Sequence, residues 1–336
     1  MINWGIIGCG KVTEVKSGPA FNKVKGSKLI AVMRRDARLA EEYAVRHNVP
    51  KFYSKASDLI NDKDINAVYI ATPPGSHAEY AIEAIKARKP VYIEKPMALN
   101  YAECLKINKT AEKYLVPVFV AYYRRALPGF LRVKDMIDNG AIGKVLFVMI
   151  QLFKIASADE KAGKLPWRVD PAISGGGHFF DLASHQLDYL DFLFGPVQSV
   201  KSIVVNQAGL YKAEDFVSAE FMFCNNITGT GIWSFCVSED SSRDIIEIIG
   251  EKGSIIFSAF TYVPIVLANE SGRQEFINEH PENVQYCLIE KIVSSLNGQG
   301  ASPSTGLTAA RTSKVMDEVV AEYYKGTAQR RKGTKA

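Results

Sequence analysis

The segment INWGIIGCGKVT, residues 2–13, is the strongest indication of fold in this 336-residue chain. Its first part, residues 2–7, is a short apolar run typical of a buried strand, and a helical pattern begins after the glycines. Gly8 permits a tight turn at the strand end, and Gly10 lets a pyrophosphate approach the backbone. Free amides at the helix start then bind the phosphates. The stretch predicts a dinucleotide-binding unit in which Thr13 replaces the usual third glycine and holds helix and sheet slightly apart.

The alternation of strands and helices continues after this stretch. Further strands are predicted at 29–33, 67–71, 91–93 and 116–121, and helices at 37–47 and 78–87. Strands that alternate with helices in this way are typical of a doubly wound parallel sheet. The sequence therefore predicts an α/β chain that begins with a Rossmann domain over residues 1–122.

The pattern changes in the remainder, residues 123–336, which we expect to form a second domain. A helix at 130–139, a strand at 145–153 and a long loop rich in glycine and proline come first. Five more strands are then predicted at 200–206, 217–223, 229–237, 245–250 and 253–257. Turn residues rather than helices separate them, which favours a mainly antiparallel sheet whose exposed face suits an oligomer contact. A helix at 307–324 closes the chain.

Two arginines follow the second predicted strand. In the usual fingerprint an acidic residue about 20 positions after the glycines binds the ribose hydroxyls of NAD. Arg34 stands at that position with Arg35 beside it, while Asp36 is placed to cap the next helix. Guanidinium groups bind a 2′-phosphate and stack on adenine, so NADP is favoured over NAD. An exposed basic turn without a ligand role is the alternative.

Polar residues also follow the third and fourth predicted strands, at the sheet edge where ligands bind in open α/β folds. Thr72, Pro73 and His77 come after the third strand. Glu94 and Lys95 come after the fourth, next to a proline that stiffens the turn, so that the ammonium can reach a ribose and a substrate oxygen. The candidate cofactor-binding residues of the first domain are therefore Gly8, Gly10, Lys11, Val12, Arg34, Arg35, Thr72, Pro73, His77, Glu94 and Lys95.

A glycine run in the second domain, residues 175–177, precedes a predicted helix that carries Asp181 and His185. The glycines let the backbone pass close to another group, and the two side chains, four residues apart, share one helical face. Histidine is well suited to exchange a proton near neutral pH, and a carboxylate can orient it. An exposed Asp and His pair that only stabilises the helix is the alternative. We interpret His178 as a packing residue.

Composition restricts the class of protein. Hydrophobic residues make up 47% and charged residues 23%, as in ordinary globular proteins. Part of the net charge of +5 lies in Arg330, Arg331, Lys332 and Lys335, which we interpret as a solvated tail rather than a nucleic-acid arm.

The five cysteines lie far apart, with no pair or Cys/His cluster at zinc spacing, so we expect free thiols and no metal. No signal peptide or membrane span is recognised, which favours a cytoplasmic protein without membrane contact.

Taken in order, these motifs resemble the glucose-fructose oxidoreductase and inositol dehydrogenase family (Gfo/Idh/MocA). The resemblance is carried by the Gly8–Gly10 turn, the Ala71–Pro74 segment with His77, the Glu94-Lys95-Pro96 triplet, and the glycine run followed by Asp181 and His185. It implies a Rossmann domain followed by an α/β domain with a large, mainly antiparallel sheet, a final helix packed back on the first domain, and homodimers or homotetramers.

The resemblance also implies residue roles. Lys95 would contact cofactor and substrate, His185 would exchange the proton of the reacting hydroxyl or carbonyl, and Asp181 would position that imidazole or the substrate. Trp167 and Arg168 resemble a pair that reaches NADP in sugar ketone reductases of the family, and Arg125 resembles a substrate-pocket arginine. The reaction implied is hydride transfer between nicotinamide and a carbinol or ketone carbon of a sugar, inositol or related polyol. A redox-neutral glycoside-cleaving enzyme with tightly held NAD and a nucleotide-sensing regulator remain alternatives.

Overall fold

The computed structural model describes residues 1–325, and the basic tail positions 330, 331, 332 and 335 lie outside the described residues. The chain divides into two compact units. The first combines Met1–Leu127 with Pro281–Ala310, and the second combines Pro128–His280 with the described residues 311–325. Across residues 1–325, no helix has the length and apolar content needed to cross a membrane.

The first unit contains a parallel sheet surrounded by helices. Its strands are β1 (Ile2–Ile7), β2 (Ser27–Met33), β3 (Lys51–Tyr53), β4 (Ala67–Ile70), β5 (Val91–Ile93) and β6 (Val118–Val120). Its helices before residue 127 are α1 (Lys11–Val15), α2 (Gly18–Lys23), α3 (Ala37–Arg46), α4 (Ala56–Asn61), α5 (His77–Lys86) and α6 (Tyr101–Tyr114). All six strands are parallel, in the order β3-β2-β1-β4-β5-β6, which confirms the predicted Rossmann topology.

Strands β4 and β5 were predictable from the sequence because all their residues are buried. Every residue of β4 and β5 is buried, because helices cover both faces of a parallel sheet and leave no polar side. The edge strand β3 was not predicted. It has only three residues, and its Phe52 side chain is 43% exposed, so no apolar run marks it.

The second unit is built on an eight-stranded sheet, in the order β14-β13-β12-β11-β7-β10-β9-β8. The strands are β7 (Val145–Phe153), β8 (Val197–Val205), β9 (Phe216–Phe223), β10 (Thr228–Ser234), β11 (Arg243–Gly250), β12 (Gly253–Phe257), β13 (Ile265–Asn269) and β14 (Gly272–Phe276). Only the β7–β10 pair is parallel, so the prediction of a mainly antiparallel sheet is confirmed. The helices before the later strands are α7 (Pro128–Asp138), α8 (Ala158–Lys161), α9 (Pro171–Ser174) and α10 (His178–Phe194).

Helix α10 covers one face of this sheet and is buried along most of its length. The Trp233 indole Nε1 donates a hydrogen bond to Gln186 Oε1 at 2.7 Å, and the Trp233 and Phe179 rings meet edge to face at 5.1 Å between centroids. The strands alternate between buried and partly exposed residues, as expected for a sheet covered on one side. The helix that carries Asp181 and His185 is therefore held rigidly by the core of its unit.

The division of the chain differs from the expected boundary at residue 122. The first unit runs to residue 127 and takes in residues 281–310, which include helix α11 (Tyr286–Leu296). Hydrogen bonds tie this returning segment to the first sheet: Ser304 Oγ donates to the Val120 carbonyl at 2.7 Å, and Tyr92 OH donates to Gln285 Oε1 at 2.7 Å. The last helix, α12 (Gly306–Lys325), contributes residues 306–310 to the first unit and its remaining residues to the second.

Candidate active site

The turn after β1 is fixed by close packing. Gly8 has a φ of +93°, and a Cβ atom there would lie 2.7 Å from the Thr72 methyl carbon and 2.8 Å from the Thr72 nitrogen. At Gly10 the nearest atom to such a Cβ would be the Gly8 carbonyl oxygen at 3.9 Å, so the space in front of Gly10 is open. A crowded first glycine and an open second glycine fit the approach of a pyrophosphate to the backbone.

Thr13 closes this turn from inside. Its hydroxyl donates to the Gly10 carbonyl at 2.8 Å and accepts from the Gly10 N–H at 3.1 Å, and the side chain is fully buried. The Thr13 carbonyl in turn accepts a 2.8 Å hydrogen bond from the Tyr43 hydroxyl of α3. Threonine at the third fingerprint position therefore stabilises the loop that presents Gly10.

Arg34 and Arg35 are exposed at the end of β2. The Gly8 N–H donates to the Met33 carbonyl at 2.9 Å, which places the two arginines directly after a residue that contacts the glycine turn. Asp36 caps α3 as predicted, because its carboxylate accepts from the Leu39 N–H at 3.2 Å. The two guanidinium groups are therefore free of the capping role and lie at the ligand edge of the sheet.

His77 connects two strand-end loops. Its ring is fully buried, with Nε2 2.7 Å from the Thr72 carbonyl oxygen and Nδ1 3.0 Å from the Pro96 carbonyl oxygen. Burial lowers the pKa of His77, against the two carbonyl contacts, which favour the protonated ring. The ring thus joins the loop after β4 to the loop after β5, and its nitrogens face protein carbonyls.

Glu94, directly after β5, is also buried, and its carboxylate is held by protein groups. Oε1 accepts from the Tyr69 hydroxyl at 2.5 Å and from Gln285 Nε2 at 2.6 Å, while Oε2 accepts from the Lys95 backbone N–H at 3.2 Å. Burial, together with the nearby Glu94 carboxylate, raises the pKa of Tyr69 well above its ordinary value, so the phenol remains a donor. Lys95 itself follows the strand at the carboxyl edge of the sheet.

Arg125 lies in a short 3₁₀ turn after β6 and is buried. Its Nη1 donates to the Pro303 carbonyl oxygen at 3.2 Å. At least one of its donors therefore stabilises the returning segment of the first unit.

In the second unit, Trp167, Arg168 and Asp181 form one cluster. The Arg168 guanidinium lies over the Trp167 ring at 4.6 Å from the centroid, and its Nε donates to Asp181 Oδ2 at 3.1 Å. The Arg168 side chain is 41% exposed and that of Asp181 is 24% exposed. The carboxylate is thus oriented by a partly exposed cation while a ligand can still reach it.

His185, one turn after Asp181 on α10, is almost fully buried. Its ring packs edge to face against Phe260, with 6.0 Å between centroids. His185 therefore lies in the interior of its unit and not at an exposed position on the helix.

The glycine run before α10 packs against other protein atoms and does not border open space. A Cβ at Gly177 would lie 2.7 Å from the Glu214 carbonyl oxygen, and the Gly177 N–H donates to Glu214 Oε1 at 2.8 Å. His178 lies 2.6 Å from a carboxylate oxygen of the buried Glu160 and 5.3 Å, ring to ring, from Phe235, in keeping with a packing role. Although burial opposes it, hydrogen bonds from His178 and Ser157 keep the pKa of Glu160 below its ordinary value.

The predicted site residues therefore form two groups, one in each unit. The first unit brings the Gly8 turn, Thr72 and Lys95 to one edge of its sheet, and the second clusters Trp167, Arg168 and Asp181 near the start of α10. The sequence alone did not predict Tyr69 and Gln285 as site residues. A hydroxyl-bearing residue within the otherwise aliphatic β4 was the only local signal for Tyr69, and Gln285 had none.

Comparison with known proteins agrees with both halves of the chain. Residues 2–122 match the oxidoreductase family with an NAD-binding Rossmann fold, and residues 130–256 match the GFO/IDH/MocA C-terminal domain. Oxidoreductase P35 of Formosa agariphila is 42% identical, over 94% of this chain and 97% of its own length. The 1,5-anhydro-D-fructose reductase of Ensifer adhaerens is 25% identical, over 91% of each chain.

The fold is shared with solved structures. An oxidoreductase from Agrobacterium radiobacter, solved with NAD⁺, L-tartaric acid and magnesium, superimposes with a TM-score of 0.85 at 20% identity, covering 97% of each chain. Both family domains match in order and a relative of 42% identity spans nearly the whole chain. The protein therefore belongs to the Gfo/Idh/MocA family of oxidoreductases, as its motifs predicted.

Proposed function

We propose that this oxidoreductase interconverts a carbinol and a ketone on a polyhydroxylated substrate, such as a sugar, an inositol or a related keto-sugar, and that it prefers NADP. The observation that carries the proposal is the Lys95 segment. A lysine stands at the carboxyl edge of the Rossmann sheet, its backbone N–H bonded to the buried Glu94 carboxylate. The 1,5-anhydro-D-fructose reductase relative supports a sugar ketone as the substrate class.

The residues of the chain supply charge stabilisation and proton transfer. When bound, the nicotinamide supplies or accepts the hydride. In the reductive direction, the Lys95 ammonium stabilises the negative charge that develops on the substrate oxygen. His185, as imidazolium, donates a proton to that oxygen, and in the oxidative direction its neutral ring accepts one. Asp181, oriented by Arg168, positions the imidazole or a substrate hydroxyl.

Several residues would hold the cofactor. The open backbone at Gly10 accommodates the pyrophosphate beside Lys11 and Val12, and Thr72 and Pro73 border the same edge. We assign Arg34 and Arg35 to the 2′-phosphate of NADP, because both are exposed after β2 and neither caps α3. Trp167 and Arg168 are proposed to contact the cofactor from the second unit, and Arg125 to contribute to the substrate pocket. For His77 and Glu94 we propose an indirect role, because their polar atoms face protein groups.

A substrate panel tests this function. Sugars, inositols and small dicarbonyls are incubated with NADPH, NADH and their oxidised forms, and absorbance at the nicotinamide band is followed. We expect turnover with at least one polyol or keto-sugar, faster with the phosphorylated cofactor. Turnover of a glycoside without net absorbance change would contradict the proposal, as would binding of nucleotide without turnover of any member of the panel.

We also propose a homodimer or homotetramer formed through the open face of the second sheet. Register places Phe147, Met149, Met222, Ile232 and Ile203 on that face, each exposed or half-buried. A stable interface buries at least about 1,200 Å², which a sheet of this size can supply. Sedimentation of the purified protein should show a dimer or tetramer that Ile232→Glu dissociates. A monomer at tens of micromolar would refute it. All five cysteines lie among the described residues and none forms a disulfide, in keeping with a cytoplasmic enzyme, which we also propose.

A further inference from the structure

Four buried side chains of the first unit form a hydrogen-bonded network that ends at the Lys95 backbone: Tyr69, Tyr92, Glu94 and Gln285. The Tyr92 hydroxyl donates to Gln285 Oε1 at 2.7 Å, Gln285 Nε2 donates to Glu94 Oε1 at 2.6 Å, and the Tyr69 hydroxyl donates to the same oxygen at 2.5 Å. Every member is buried. The chain ends at Glu94 Oε2, which accepts the Lys95 backbone N–H at 3.2 Å.

The network orients the carboxylate without neutralising it. Glu94 accepts hydrogen bonds from the Tyr69 hydroxyl, the Gln285 amide and the Lys95 backbone N–H, whereas the Tyr92 hydroxyl donates to Gln285. Charge-assisted hydrogen bonds to a carboxylate are short and directional. The Tyr69 and Tyr92 rings are cross-strand neighbours and stack at 4.9 Å between centroids, which holds both side chains on one face of the β4–β5 pair. Gln285 comes from the returning segment 281–310 and supplies the donor that the Rossmann sheet itself does not.

The Lys95 segment is held on its far side as well. The Pro96 carbonyl oxygen lies 3.0 Å from His77 Nδ1. Two contacts therefore hold the backbone around Lys95. One is the bond from the Lys95 N–H to Glu94, and the other is the contact of the Pro96 carbonyl oxygen with His77. Loss of the bond to Glu94 leaves the contact between Pro96 and His77 in place, so we expect the loop to become more mobile without unfolding.

We propose that Gln285 and Tyr69 are positioning residues for Lys95, acting through the Glu94 carboxylate. The inference rests on the proposed function in that Lys95 is taken to stabilise charge on the substrate oxygen. Loss of either donor lets the carboxylate turn, loosens the Lys95 N–H and displaces the ammonium. Displacement of a catalytic group by about 1 Å costs on the order of 10²-fold in rate, so partial loosening is expected to cost about tenfold in kcat.

The direct test is hydrogen exchange at the Lys95 amide, measured by NMR on the protein without cofactor or substrate. Gln285→Leu and Tyr69→Phe should each speed exchange of this amide by about tenfold or more, as expected for a local opening. Tyr92→Phe is the matched control, because it removes the bond to Gln285 but leaves all the described bonds of Glu94 in place. Its effect should be less than about threefold.

A near-isosteric variant, Gln285→Glu, keeps the proposal testable if Gln285→Leu does not fold. Its introduced carboxyl, when protonated, still donates to Glu94, and when ionised it repels Glu94. Protection of the Lys95 amide, corrected for the intrinsic pH dependence of exchange, should therefore fall as pH rises in this variant and stay constant in the parent. Protection that does not change with pH overturns the proposal.

Kinetics with the substrate found in the panel complete the test. We expect Gln285→Leu and Tyr69→Phe to lower kcat about tenfold, with the KM for NADPH changed less than about threefold. Faster Lys95 exchange with an unchanged kcat would show a merely structural network and refute the positioning role. Full turnover by Lys95→Met would instead refute the proposed function. The exchange measurement needs no substrate, so failure of the positioning role and failure of the proposed function can be distinguished.

Discussion

Glu14 links the cofactor-side helix α1 to α3, and its loss should have a measurable effect on stability. Its carboxylate accepts two hydrogen bonds from Arg46, at 2.8 and 2.9 Å, and lies 2.7 Å from His47 Nε2. The Arg46 bonds, with a smaller contribution from His47 and against burial, lower the pKa of Glu14 from 4.5 to about 2. That difference corresponds to at most about 3 kcal/mol. Because the side chains of Glu14 and Arg46 are 32% and 48% exposed, solvent screening reduces the expected contribution to about 1–2 kcal/mol.

Glu14→Gln should therefore lower the Tm at pH 7 by about 1–3 °C. A folded-state pKa below the unfolded value means that the contribution is fully present above about pH 4.5 and is lost as the pH falls towards 2. The difference in Tm between variant and parent should narrow over that range. Glu282→Gln is the control, since its partner Lys23 and Glu282 itself are largely exposed. Equal Tm values for Glu14→Gln and the parent across this range would show that Glu14 does not stabilise the fold through Arg46.

Three further predictions concern function. Arg34→Asp should shift the preference from NADPH towards NADH in fluorescence titrations, and tighter binding of NADH than NADPH by the unaltered protein would show that the arginines are only a solvated turn. His185→Ala should remove most of the activity while NADPH binding persists. Ketone reduction by the parent should fall as pH rises, because only imidazolium donates the proton. A His185→Ala variant with full activity would exclude this mechanism. Asp181→Asn should cost less than His185→Ala and change the pH profile, whereas unaltered kinetics in both variants would indicate a helix-stabilising pair.

The parts of the fold that the sequence predicted are those governed by local pattern. Gly8 and Gly10 are recognisable because a turn and a backbone approach require glycine at the end of a strand. The buried runs of β4 and β5 are recognisable because both sheet faces are covered. The β13–β14 hairpin was not predicted, since β14 consists largely of exposed residues at the sheet edge and lacks an apolar run.

The site was predictable to a smaller extent, because its support comes from distant residues. Lys95 is marked by its position after a strand, but the Gln285 amide that holds Glu94 is 191 positions away, and spacing encodes no contact over that distance. The same holds for Glu214, which fixes the Gly177 N–H and accepts from the Tyr324 hydroxyl at 2.5 Å. A glycine run indicates that the backbone passes close to another group, and the structure is needed to identify that group.

Lys95→Met distinguishes a role of Lys95 in chemistry from a role in folding. The assay measures turnover of the panel substrate at saturating NADPH, beside the Tm and the NADPH dissociation constant of the same preparation. Loss of a charge that stabilises the reacting oxygen should lower kcat by a factor on the order of 100 or more, with the Tm nearly unchanged. Near-normal turnover with an intact fold would contradict the account.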